Sequence, residues 1–151
     1  MAITLPEYVK RLAKTVKELR ETKTQRAVGV SGDVMAQVKR RLQTQGRDAD
    51  GATFKPYTKL YKTVRENKGF QTNFVDFTRS GRMLNSINPS VERDGRFNTI
   101  VVIKAGNKED ADKLKGNAYH RGNILRPSKK ELAFAIKIWR ERALKIINEI
   151  A

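Results

Sequence analysis

Apolar residues fall at Leu5, Val9, Leu12, Val16 and Leu19, in alternating steps of four and three, on a stretch otherwise rich in Lys and Arg. That period is one narrow stripe of an amphipathic helix. Thr4-x-x-Glu7 supplies a capping box at its start, with Pro6 tolerated in the first turn. So strict a stripe needs one partner surface, either another helix of the chain or a neighbouring subunit, and we read it as core. Val34, Val38 and Leu42, with Met35 beside them, predict a second helix from a Ser31 cap to about Gln45, which Gly46 stops.

The pattern then loosens. Residues 46–77 are polar and turn-rich, yet they carry Phe54, Tyr57, Leu60, Tyr61 and Phe70. A loop this long inside a small domain is usually functional, and its aromatics predict a segment that packs down, with a short helical stretch around 57–65. Asp48-x-Asp50-Gly51 reads as a turn. Thr78 is placed to cap a short helix through Met83, Leu84 and Ile87, ended by Pro89. The convincing strand pair follows in SVERDGRFNTIVVIKAG, with Asp94-Gly95 as the tight turn and a β-branched second strand. Residues 107–119 predict a short helix or an ordered loop. Ser128-Lys-Lys-Glu131 is a second capping box, and Leu132, Ala135, Ile136, Trp139, Ala143, Ile146, Ile147 and Ile150 lie on one broad face of a closing helix of some twenty residues.

These elements predict an α+β fold: a small antiparallel sheet (a hairpin at about 90–105) packed against long N-terminal and C-terminal helices, with a long ordered loop over 46–77. A neighbouring strand from 70–77 or from another subunit could complete the sheet, since an isolated hairpin is marginal in water. The 151 residues, without repeat, low-complexity tract or linker, read as a single domain, 1–151.

Charge changes the picture. Thirty-two Lys and Arg against sixteen Asp and Glu leave +16 at pH 7, which excludes a protein indifferent to polyanions or acidic partners. The surplus is nine over 1–68, four over 69–128 and three over 129–151, so the charge belongs to the fold and not to a detachable arm. Lys39, Arg40 and Arg41, the one three-residue basic run, are candidate phosphate or partner contacts. The absence of cysteine excludes disulfides and thiol chemistry. No apolar stretch reaches the length of a membrane span and the N-terminus lacks a signal-peptide core, so no membrane partner and a cytosolic origin are expected.

Catalytic constellations do not emerge. His120, the one histidine, has no nucleophile signature near it, and Gly29-Val-Ser-Gly32 is too short for a phosphate-binding loop. Asp48 and Asp50, and the group Glu109, Asp110 and Asp112, miss the calcium-loop spacing. The chain reads as a non-enzyme without catalytic, cofactor or metal residues. A helix-turn-helix is not formed either, because the helix bearing Lys39–Arg41 runs into an extended loop.

Three blocks, taken in order, carry a resemblance. RLQTQGRDADGATFKPYT holds a helix running into a glycine turn, an aromatic, a lysine and a proline. FVDFTRSGRMLNSI resembles a leucine–x–x–threonine–glycine–x–leucine–x–x–serine–isoleucine block, and RGNILRPSKKELAFAI an Arg-Pro before a capped helix. Over roughly residues 35–145 the chain resembles the phage virion morphogenesis proteins of the Mu type and related tail-completion or head–tail joining proteins. Gly51, Phe54 and Pro56 match the first block, Gly81, Leu84, Ser86 and Ile87 the second, and Gly122, Arg126 and Pro127 the third. Phe54 stands where the family often has Trp, Arg79-Ser80 separate Thr78 from Gly81, and Ala118-Tyr119-His120 shortens a Tyr-Ala-x-x-His run.

The resemblance implies a structural virion protein of the neck, assembled in the host cytoplasm. It would be a ring homo-oligomer around the DNA path that meets other neck, connector and tail proteins. Packaged double-stranded DNA would be touched only by nonspecific electrostatics, and the matched residues would maintain the fold. The charge alone supports a different reading, a basic accessory protein that binds nucleic acid without sequence preference. An assembly factor absent from the finished particle is a third.

Overall fold

The computed structural model describes residues 4–78, 81–95 and 98–150, the last without its side chain. Eight elements follow one another: α1 (Leu5–Glu21), α2 (Lys23–Gln45), α3 (Lys59–Glu66), α4 (Arg82–Asn85), β1 (Ile87–Asp94), β2 (Thr99–Ala105), α5 (Lys108–Arg121) and α6 (Lys129–Ile150). The chain is α+β, with a two-stranded antiparallel sheet that rests on α2 and is flanked by the terminal helices.

Helix α2 starts eight residues before the expected Ser31 cap. It follows α1 across a single residue, Thr22, which keeps right-handed helical angles (φ −92°, ψ −1°). The join is held by Arg26, whose guanidinium donates to the Leu19 carbonyl at 2.8 Å and to Thr22 Oγ1 at 2.5 Å. A side chain thereby occupies a carbonyl at the break between two helices. At its far end α2 stops as expected. Gly46 is left-handed (φ 58°, ψ 38°) and its N–H returns to the Leu42 carbonyl. Any Cβ there would lie 2.6 Å from the Phe74 ring, so glycine is required for both angle and space.

The start of α1 departs from the sequence reading, because Thr4 caps by position but its side chain makes no capping bond. The segment after Thr78 departs further. Gly81 (φ 72°), not Thr78, precedes a helix of only four residues, while Ile87 and Pro89 belong to β1, with Pro89 opposite Ile103. A two-stranded sheet leaves each strand one open edge, where a proline lacking its N–H costs nothing. Arg79 and Ser80, on which the offset from the family pattern turns, lie outside the described residues. A bulge between Val91 and Arg93 bends the hairpin. Asp94 pairs with Thr99 and the Gly95 N–H donates to the Asn98 carbonyl at 2.8 Å, so pairing continues past Asp94 and the turn predicted at Asp94-Gly95 lies further along the chain. No strand from 70–77 joins the sheet.

The core gathers one face of α2 (Met35, Val38, Leu42), Phe54 and Val75 from the 46–77 segment, Met83 and Leu84 of α4, Ile87 of β1, and Ile124. Neither α1 nor α6 contributes a fully buried apolar residue among those described. The reading of the α1 stripe as core is therefore overturned. Leu5, Val9, Leu12 and Val16 are 76, 55, 47 and 46% exposed.

Candidate interaction surfaces

Two buried arginines shape the molecule around these surfaces. Arg41 Nε donates to Glu131 Oε1 at 2.9 Å and Nη2 to Oε2 at 3.3 Å. The same guanidinium reaches the Arg47 carbonyl at 2.7 Å and the Arg126 carbonyl at 3.0 Å. One side chain thus ties the end of α2, the start of the 46–77 segment and the entry to α6. Glu131 also closes the predicted capping box, accepting from Ser128 N–H at 2.6 Å, while Glu131 N–H donates to Ser128 Oγ at 3.3 Å. Burial pushes the Glu131 carboxyl up, but the bonds from Arg41 and Ser128 outweigh it and leave its pKa below the usual range.

Arg65 does the same inside the long segment. It donates to both Asp76 carboxylate oxygens at 3.1 and 3.0 Å, to the Gln71 carbonyl at 2.9 Å and to the Thr78 carbonyl at 2.7 Å. Its guanidinium lies 4.6 Å from the Tyr57 ring centre. Tyr57 Oη donates to Asp76 Oδ1 at 2.9 Å. Burial, with the adjacent carboxylate, pushes the Tyr57 hydroxyl up to about 12. This network explains why a polar stretch is ordered.

The residues singled out from the sequence separate into roles. Gly51 (φ 89°) closes the Asp48–Gly51 turn, in which Asp48 Oδ1 accepts from the N–H groups of Asp50 and Ala52, both at 2.9 Å. Phe54, Leu84 and Ile87 are core, and Phe54 meets Phe77 edge-on with centres 4.9 Å apart. Ser86 Oγ donates to the Met83 carbonyl, and Gly122 ends α5 with its N–H on the Ala118 carbonyl. Arg126 pairs with Asp50 across the surface, and Pro127 precedes the Ser128 cap. Pro56 is exposed at the lip of a cleft.

The basic run does not form one surface. Arg41 is spent internally. Lys39 is half-buried, donates to the Ile87 carbonyl at 3.1 Å, and is pushed down by desolvation. Arg40 alone of the three is exposed.

What the sequence did not reveal is how the terminal helices sit. The half-buried residues of α1 are Arg11, Thr15, Glu18 and Leu19, so the helix turns a largely polar side toward its own chain. Its apolar stripe faces away and carries a shallow groove lined by Val9, Leu12, Ala13 and Val16, edged by Lys17 and Arg20. On α6 the side holding Ala135, Ile138, Trp139 and Ile146 is half-buried, and Leu132, Ile136, Leu144 and Ile147 are exposed. Ile136 and Trp139 wall a second groove with Ala27 and Val30 of α2 and Val101 of β2. Burial against exposure along these helices is a matter of rotation about the axis, which the apolar period alone does not fix.

No helix of the described residues is long and apolar enough to cross a membrane. Comparison of the chain with family models, with curated proteins and with solved structures finds no match.

Proposed function

We propose that the protein is a structural subunit of a bacteriophage neck or tail-completion assembly, forming a ring around the DNA path. The observation that carries the reading is the helix α1, which turns Arg11, Thr15 and Glu18 inward and leaves Leu5, Val9, Leu12 and Val16 in water. Burying such a stripe is worth about 25 cal/mol per Å² of apolar surface removed from water, and its own chain leaves that stabilisation unrealised. A closed ring needs two different patches on each subunit, and the exposed strip of α6 provides a second one remote in sequence. The resemblance in residues 35–145 supports the same class, and the +16 charge suits a wall beside DNA phosphates or acidic neighbours.

Native mass spectrometry of the purified chain over a rising concentration series tests this. A closed oligomer of fixed subunit number is expected, and Leu12→Glu with Val16→Glu should return it to a monomer that keeps its helical circular dichroism. A chain that stays monomeric at every concentration while binding duplex DNA tightly would replace the ring with the nucleic-acid-binding accessory reading.

A further inference from the structure

We propose that the cleft between the 55–65 segment and α5 is a binding site for a nucleoside phosphate unit, free or within a single strand, independent of any assembly role. The cleft encloses about 760 Å³, within the range of small-ligand sites. Its lining residues include no Asp or Glu, and they bring Lys55, His120 and Arg121 together with the rings of Tyr61 and Phe77.

Two nearby cations are already neutralised: Arg65 by Asp76, and Lys113 by Glu109 and Asp110. Lys55 and Arg121 have no carboxylate partner among the described residues. Arg121 Nη1 donates instead to the Lys55 carbonyl at 2.5 Å and its guanidinium lies 5.9 Å from the Phe77 ring centre. Arg121 is thus anchored to the backbone of Lys55, and both residues line the cleft without a carboxylate partner among the described residues.

The walls match the other half of such a ligand. Tyr57 is engaged by Arg65, but it meets Tyr61 only edge-on, with centres 5.2 Å apart. A T-shaped contact leaves at least one face of Tyr61 clear of Tyr57 for a planar base, and the buried Val75 and Met83 supply apolar lining. A base stacked on an aromatic side chain tolerates any base identity, and phosphate oxygens take the charge-assisted bonds of Lys55 and Arg121. A bare anion would use only the second half of the site, and an apolar ligand only the first.

Isothermal titration of the full chain with AMP, inorganic phosphate, an oligo-dT strand and a poly-Glu peptide tests the assignment. AMP is expected to bind at least about tenfold more tightly than phosphate, as one stacked base provides. Lys55→Glu should weaken AMP by about tenfold or more, the scale of one charge-assisted hydrogen bond. Lys14→Glu, the same charge change at an exposed site on α1, should leave it nearly unchanged. Tyr61→Leu should weaken AMP and Tyr61→Phe retain it, with both variants checked for native melting. Oligo-dT binding more tightly than AMP would identify the ligand as a strand, and equal affinity would identify the free nucleotide. Equal losses from Lys55→Glu and Lys14→Glu, AMP binding no better than phosphate, or displacement of AMP by poly-Glu at comparable concentration would each overturn the proposal. The last result would make the cleft an acidic-peptide site.

Discussion

Arg41 shows most plainly how one residue can be read two ways. In the sequence it is the third member of a basic run, a natural phosphate contact; in the fold it is 9% exposed and bonded to Glu131 and two carbonyls. Removing one partner of a buried ion pair strands the other charge, so Arg41→Ala is expected to cost about 3–5 kcal/mol in urea unfolding. Arg41→Met combined with Glu131→Met should recover more than half of that loss, less the α6 cap that Glu131 also supplies. A single variant as stable as the wild type would remove Arg41 from its structural place. Asp94 gives a second residue-scale expectation. Bonds from Thr24 at 2.6 Å, Lys23 and Thr99, both at 2.9 Å, hold its carboxyl at about 2. Its folded pKa lies below the unfolded value near 3.9, so its contribution is complete above pH 4 and is lost as pH falls from about 4 to 2. NMR titration should show the Asp94 carboxyl midpoint near 2, with Thr24 and Thr99 shifting alongside. A midpoint near 4 would mean that the hairpin is not tied to α2 there.

Among the elements, α2 is central: it supplies the core face, carries the sheet and sends out Arg41's bonds to Arg47, Arg126 and Glu131, and it ends where Gly46 turns left-handed. Gly46→Ala would need a positive φ and would drive its Cβ into Phe74. We expect a loss of about 1–3 kcal/mol, read as a shift in the thermal midpoint, whereas Gly32→Ala in the same helix, with open space around it, should stabilise by about 0.4–1 kcal/mol. Equal effects at both sites would contradict the cap geometry. The terminal helices behave differently from α2. They are amphipathic by sequence, yet α1 buries nothing fully, and Trp139 of α6 is only half-buried, with Arg26 5.4 Å from its ring centre.

For the whole molecule the surplus of positive charge is a surface property that the interior arginines do not share. If that surface lines a DNA path, binding of unrelated duplexes should weaken together as salt rises, because each neutralised phosphate releases counterions. Arg40→Gln should reduce the log–log salt slope by about 1 if Arg40 meets one phosphate. Arg41→Gln should lower thermal stability and leave the slope of the folded protein unchanged. Fluorescence anisotropy at four or five salt concentrations would separate the two. A preference of a thousandfold or so between two duplexes, as specific binders show, would contradict a surface blind to sequence.

What the sequence determined by itself was local. The Ser128–Glu131 capping box, the Gly46 stop, the Asp48–Gly51 turn and the β-branched run of β2 each depend on neighbours a few residues away, and each is found in the fold. The α+β class followed from the same signals. Tertiary structure decided everything that required knowing what lies opposite. Helix α2 begins at Lys23, where Arg26 bridges the break at Thr22 and the Thr22 side chain makes no capping bond. Pro89 sits in a strand because one edge of the hairpin is open. Lys39, Arg40 and Arg41 part company because consecutive residues on a helix point about 100° apart. The same rotation leaves the stripe of α1 outside: the apolar period states that a face exists, and only packing against α2 and α6 selects which face the chain itself covers.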